Sequence, residues 1–261
     1  IVEGFWPAVK SNVDGPFDIV SATNVLAHVS DPIAFLKSML DELRPSGAAV
    51  LEFPYAREMV LHNEWDTIYH EHLSYFLAGP LLRMVEIAGG AVTRIKRVPI
   101  HGGSLRVAIQ RNSGGHCEDA VRLVEEERAA GLCSMATYQE FRRQVLSTSR
   151  NLVDHVHHLV SGEQRVVGYG ASAKGNTALN YCRLPLAWIA DDNPLKNGLL
   201  TPGQHIPIRP RESLAFEPPG LNIVLLAWNF AEEILGNIRL LRPGMKDFAI
   251  HYVPTFCVTP V

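Results

Sequence analysis

Hydrophobic and polar positions alternate along this chain in blocks whose period switches between that of a strand and that of a helix. Phe17-Asp18-Ile19-Val20-Ser21 is a short β-rich apolar run after the turn Asp14-Gly15-Pro16. It predicts a buried strand whose C-terminal loop is Ala22-Thr23-Asn24-Val25-Leu26-Ala27-His28. Asp31 then stands as an N-cap before Pro32, and Ile33, Phe35, Leu36, Met39, Leu40 and Leu43 form an apolar face at helical spacing up to Arg44-Pro45-Ser46-Gly47. Ala48 to Pro54 is a second apolar run, so the order strand, helix, strand predicts a right-handed parallel crossover and an α/β architecture.

Gly79 to Ala88 reads as a further helix. Gly90 to Val98 and Ser104 to Arg111 read as two strands around His101-Gly102-Gly103, antiparallel because no helix separates them. From Cys117 to Val160 the pattern becomes charged and helical, with Val121, Leu123 and Val124, then Phe141, Val145, Leu152, Val153, Val156 and Leu159. Two helices bridging domains are expected there. Arg165 to Thr177 reads as strand, glycine turn and helix, followed by an apolar run from Leu186 to Ala190 and turn-rich loops at Asp191 to Gly198 and Pro202 to Pro207. Asn222 to Trp228, Ala231 to Leu241 and Phe248 to Val253 complete a second set of strand, helix and strand. The expected domains are therefore 1–114, a helical linker at 115–160, and a second α/β domain at 161–261.

Composition narrows the partners. A chain of 261 residues that is 47% hydrophobic and 20% charged is ordinary for a globular protein with well-buried cores. A net charge of -3 gives no electrostatic reason to expect nucleic acid or an anionic membrane. No run of eighteen apolar residues is present. The start, Ile1-Val2-Glu3-Gly4, is neither a signal peptide nor an initiating Met, so the chain is expected to begin within a longer protein. Cys117, Cys133, Cys182 and Cys257 form no CxxC pair and are expected to be reduced, with no metal role, in a cytoplasmic setting. His155, His157 and His158 fit a solvated helix face, since neither carboxylates nor cysteines join them.

Candidate chemistry gathers in two places. Tyr69-His70-Glu71-His72-Leu73-Ser74-Tyr75 packs two phenols, a carboxylate and two imidazoles into seven residues. Ligands of open α/β sheets sit beyond the carboxyl ends of the strands, which here carry Asn24, His28 and Glu52. The second place is the glycine turn, where Gly170, Ser172, Lys174 and Asn176 suit an anion such as a diphosphate at a helix N-terminus. Gly168, Gly170 and Ala173 also match the dinucleotide fingerprint, with Asp191 and Asp192 about twenty residues on, so an NAD-dependent oxidoreductase is an alternative. A catalytically silent nucleotide-sugar-binding module is another.

The order FDIVSATNVLAHVSDP, LRPSGAAVLEFP, YHEHLSYF and HGGSLR resembles the S-adenosylmethionine-dependent sugar C-methyltransferases that act on nucleotide-linked keto-deoxysugars. YHEHLSYF is the specific part. The resemblance implies a partial class I methyltransferase Rossmann-like sheet followed by a second Rossmann-like domain, with S-adenosyl-L-methionine as cofactor. It implies as substrate a TDP-linked sugar with a C4 ketone, methylated at C3. His72 is then the base that removes the C3 proton, Tyr69 a donor to the developing enolate, Glu71 an orienting group, and His28 a partner in enolate stabilisation. Thr23 and Asn24 fall to the cofactor, and His101 and Asp191 to the substrate. The family's N-terminal zinc domain and its glycine-rich cofactor loop have no counterpart before Phe17, so the sequence looks like the C-terminal two-thirds of such an enzyme.

Overall fold

The computed structural model describes residues 3, 4, 6, 8, 15–111 and 114–261; Ile1, Val2 and Asp14 of the features predicted above lie outside the described residues. The chain forms two compact units, Ile1–Val60 with His70–Tyr138, and Leu61–Tyr69 with Gln139–Val261. The two helices expected at 115–160 are divided between them.

The first unit is built on a four-stranded sheet. β1 (Phe17–Thr23) leads through α1 (Pro32–Asp41) into β2 (Leu43–Pro54), and the two strands pair in parallel, as strand, helix, strand requires. Asp31 caps α1 by accepting the Ala34 N–H at 2.9 Å. β2 starts earlier than the apolar run at Ala48. Leu43 already pairs with Phe17, and a register shift between Phe17 and Ile19 absorbs the polar residues at 44–47. Gly47 makes this approach possible, because a Cβ there would stand 2.8 Å from the Phe17 carbonyl oxygen.

After α2 (Ala56–Leu61), α3 (Ala78–Ile87) precedes β3 (Gly90–Val98) and β4 (Ser104–Arg111), which form the antiparallel pair at the expected bounds. The strand order is β1-β2-β4-β3. α4 (Glu118–Ala129) packs on α3 and β3, burying Ala120, Leu123 and Glu127. The Glu127 carboxylate caps α3 from a distance. It accepts the Ala78 N–H at 2.5 Å, the Gly79 N–H at 3.1 Å and the Tyr55 hydroxyl at 2.6 Å, a negative charge at a helix N-terminus.

The second unit contains α5 from Gln139 onward (α5 spans Met135–Ser161) and a six-stranded sheet of order β10-β9-β8-β5-β6-β7. β5 (Val166–Tyr169), α6 (Ala173–Cys182), β6 (Ile189–Asp191), β8 (Asn222–Leu225), α7 (Ala231–Leu241) and β9 (Phe248–His251) fall where the pattern places them. β7 (Ile208–Pro210) and β10 (Cys257–Pro260) are additional edge strands, too short and too polar for a periodic signal. All neighbours run parallel except β9 and β10. β5 and β8 are buried throughout, with one apolar cluster on each face of the sheet, as a doubly covered parallel sheet demands.

Candidate active site

In the first unit the carboxyl end of β1 brings together groups that are far apart in sequence. The strand stops at Asn24, which takes the left-handed conformation (φ +56°) that Asn tolerates better than most residues, while its N–H donates to the Glu52 carbonyl at 2.8 Å. The turn continues into a single 3-10 turn, Leu26–His28, whose Leu26 and Ala27 are buried. The Ala27 carbonyl accepts from the N–H groups of Leu73 and Ser74 at 2.8 and 3.2 Å. That pair of bonds lays the reactive stretch against the β1 loop.

Three rings meet there. The His28 and His72 rings stand 4.9 Å apart at 62°, and the His72 and Tyr75 rings 5.8 Å apart at 80°. His28 Nδ1 lies 2.8 Å from the Glu71 carbonyl oxygen. A carbonyl only accepts, so Nδ1 carries the proton in this contact and Nε2 points away from the Glu71 carbonyl. His72 is half-buried and His28 exposed, so both remain within reach of a ligand.

The expected residues take different places around this cluster. Glu71 contributes its carbonyl; its carboxylate is 60% exposed and stands 4.0 Å from His70 Nε2. Thr23 is exposed at the strand end. The Asn24 Oδ1 is buried without a hydrogen-bond partner, an acceptor left over for a polar group. Glu52 is 6% exposed and paired with Arg106 at 2.6 Å, which makes it a structural group of the sheet. His101 lies at the tip of the β3–β4 hairpin with φ +57°. Tyr75 belongs to the cluster although nothing in the sequence singles it out for a separate role; its spacing of three residues from His72 is the available signal. Tyr69 falls in the second unit, half-buried.

The glycine turn of the second unit is shaped by close packing. Gly170 has φ +94°, and a Cβ there would come within 2.5 Å of the Ala227 Cβ. Gly168 likewise leaves room for Leu226 and Ile189. The polar groups of the turn are met from within. Asp191, 7% exposed, accepts the Ala171 N–H at 2.7 Å and the Asn193 N–H at 2.9 Å, and pairs with Lys196 at 3.2 Å. Ser172 caps α6 by accepting the Gly175 N–H at 3.0 Å. The side chain of Asn176 accepts from Asn180 at 3.2 Å.

Lys174 Nζ sits 4.3 Å above the Trp228 ring. Burial lowers the affinity of its ammonium for the proton, while the charges of Asp66 and Glu64 raise it. Asp191, which in a dinucleotide site would be turned toward a ribose, is thus joined to the turn itself.

Residues 99–254 match the family described as C-methyltransferase C-terminal domain, and residues 3–95 match a methyltransferase domain. The chain is also similar to C-methyltransferase NovU of Streptomyces niveus, with 34% identity over 224 residues, 84% of this chain and 53% of the relative. It spans about half the length of that curated relative. With a family match over more than half its residues, and a methyltransferase match over β1, β2 and the His28 and His72 cluster, this chain belongs to the C-methyltransferases.

Proposed function

We propose that this chain forms part of an S-adenosylmethionine-dependent enzyme that places a methyl group on C3 of a TDP-linked 4-keto-deoxysugar. The observation that supports the reading most strongly is the ring cluster of His28, His72 and Tyr75 at the carboxyl end of β1. The C3 proton of such a sugar is acidified by the neighbouring ketone. A histidine, with an ordinary pKa of about 6.5, removes it near neutral pH without being permanently charged.

His72 is the base in this scheme. Tyr69 donates to the oxygen on which charge develops, and His28 supports the same charge, its ring held in orientation by the Glu71 carbonyl. Thr23 and Asn24 would hold the cofactor, the orphaned Asn24 Oδ1 accepting from one of its donors. When bound, S-adenosylmethionine supplies the electrophilic methyl group. The diphosphate of the substrate is assigned to Gly170, Ser172, Lys174 and Asn176 at the start of α6, with Asp191 shaping the turn and His101 a further sugar contact. An anion arriving there competes with Asp66 and Glu64 for Lys174.

The test is methyl transfer by the full-length protein. Incubation with S-adenosylmethionine and a TDP-4-keto-deoxysugar should give a product carrying one new methyl group on C3, seen by mass spectrometry and NMR. Nicotinamide-dependent reduction of the same sugar, without methylation, would replace this reading with an oxidoreductase.

A further inference from the structure

We propose that Asp66 is a positioning residue for Tyr69, fixing from within the second unit the short segment that carries this phenol. The inference rests on the methyl-transfer reading only for the role of Tyr69.

Asp66 is completely buried. Its Oδ2 accepts the Trp228 indole N–H at 2.8 Å and the Tyr252 hydroxyl at 2.8 Å, the first from the 3-10 turn after β8 and the second from the residue that follows β9. The Lys174 ammonium adds a third attraction. Burial pushes the Asp66 carboxyl up, and the Tyr252 and Trp228 hydrogen bonds and Lys174 oppose that shift. Asp247, another buried carboxylate of this unit, shows how a purely structural one is satisfied: Arg242 bonds both of its oxygens, at 2.6 and 3.0 Å. Asp66 differs, because its Oδ1 is buried with no hydrogen-bond partner.

A buried charge is costly, and a well-packed apolar side chain fills such a space at least as well. What the carboxylate adds is direction. Asp66 is the middle residue of the 3-10 turn Trp65–Thr67, whose other side chains are also held. The Trp65 ring lies 5.3 Å from Tyr181 and 5.7 Å from Tyr252. The Thr67 N–H and hydroxyl both donate to the Glu64 carbonyl, at 3.2 and 2.7 Å, and the Ile68 N–H donates to the Trp65 carbonyl at 3.1 Å. Only Thr67 and Ile68 separate Asp66 from Tyr69, and the backbone N–H of each is tied into the turn. The direction in which Tyr69 leaves the turn is therefore set where Trp228 and Tyr252 hold Asp66.

The decisive experiment is a double-mutant cycle in the full-length protein. Asp66→Asn keeps the shape of the side chain and removes its charge. It should lower kcat about tenfold, leaving the KM for S-adenosylmethionine unchanged, within the range a misplaced group costs. In a Tyr69→Phe background the same change should cost less than about twofold, because the residue it positions has lost its hydroxyl. Equal losses in both backgrounds would overturn the proposal.

Tyr252→Phe, which deletes one donor and spares the carboxylate, repeats the cycle if Asp66→Asn does not fold. Backbone hydrogen exchange gives a readout independent of catalysis. Asp66→Asn should accelerate exchange at Thr67 and Ile68 while β5 and β8 keep their protection. Unchanged exchange at those two amides would overturn the anchoring claim even if the wild-type protein proved inactive as a methyltransferase.

Discussion

In sequence, the histidine-rich stretch that His70 to Tyr75 carry in the first unit and the glycine turn of the second unit are similar, since each concentrates groups suited to binding or reaction. Their surroundings differ. Around His72 the protein supplies backbone bonds that aim the rings, and leaves His28 exposed and His72 half-buried. Around Gly170 it supplies Asp191, Ser172 and Lys196 as partners for the turn's own polar groups, and Asp66 and Glu64 as charges facing Lys174. A motif names the groups gathered at a place. Whether they serve a ligand or one another is decided by residues that arrive from elsewhere in the chain.

That contrast can be broken most forcefully at His72. His72→Asn in the full-length enzyme should lower turnover about a hundredfold or more, the scale of a missing general base, without changing the unfolding midpoint. Near-normal turnover would remove the first unit's claim to the chemistry.

Lys174→Ala should do the reverse, acting first on stability. It removes a positive charge that offsets the burial of Asp66, and the denaturant midpoint of the second unit should fall. At temperatures where the variant stays folded, nucleotide-sugar affinity should weaken and S-adenosylmethionine affinity stay constant. Equal weakening of both would assign the lysine to folding alone.

Tyr55→Phe sharpens the comparison from the structural side of the first unit. It removes the 2.6 Å bond to the buried Glu127 cap of α3, at about 1–2 kcal/mol, with protection lost in α3 and not in β5.

The smallest effect is on pH. Burial holds the imidazoles of His155 and His251 below their ordinary value, with the His158 charge adding to the effect on His155. The unfolded chain therefore takes up these protons first as pH falls. Stability should be level above about pH 6.5 and decline below it, down to the lower values of the folded state. A His155→Gln, His251→Gln double variant should show a shallower decline.

Much of the fold is legible in the sequence because its elements are periodic and well punctuated. Asp31 and Pro32 start α1, and β3, β4 and α7 fall on the predicted residues. What escapes pattern reading is set by pairing at a distance. Leu43 belongs to a strand because Phe17 meets it across a register shift, and β7 and β10 exist because β6 and β9 offer them edges. The charged sequence after Cys117 suggests a linker, yet Glu127 turns α4 into a cap for α3.

The site divides in the same way. Composition marks Tyr69 to Tyr75, and strand topology marks Asn24 and His28. The carbonyl of Glu71, rather than its carboxylate, is what holds His28, and backbone roles carry no signature in side-chain identity. Asp66 carries no local signal, because its partners Trp228 and Tyr252 are 162 and 186 residues away.

The central claim, that His72 removes a proton from the substrate, is tested most directly by exchange without methyl transfer. The full-length enzyme is incubated in D2O with the TDP-4-keto-deoxysugar and S-adenosylhomocysteine, and deuterium at C3 is followed by NMR. The wild type should incorporate deuterium at C3 and His72→Asn should not. Undiminished incorporation by His72→Asn would contradict the assignment.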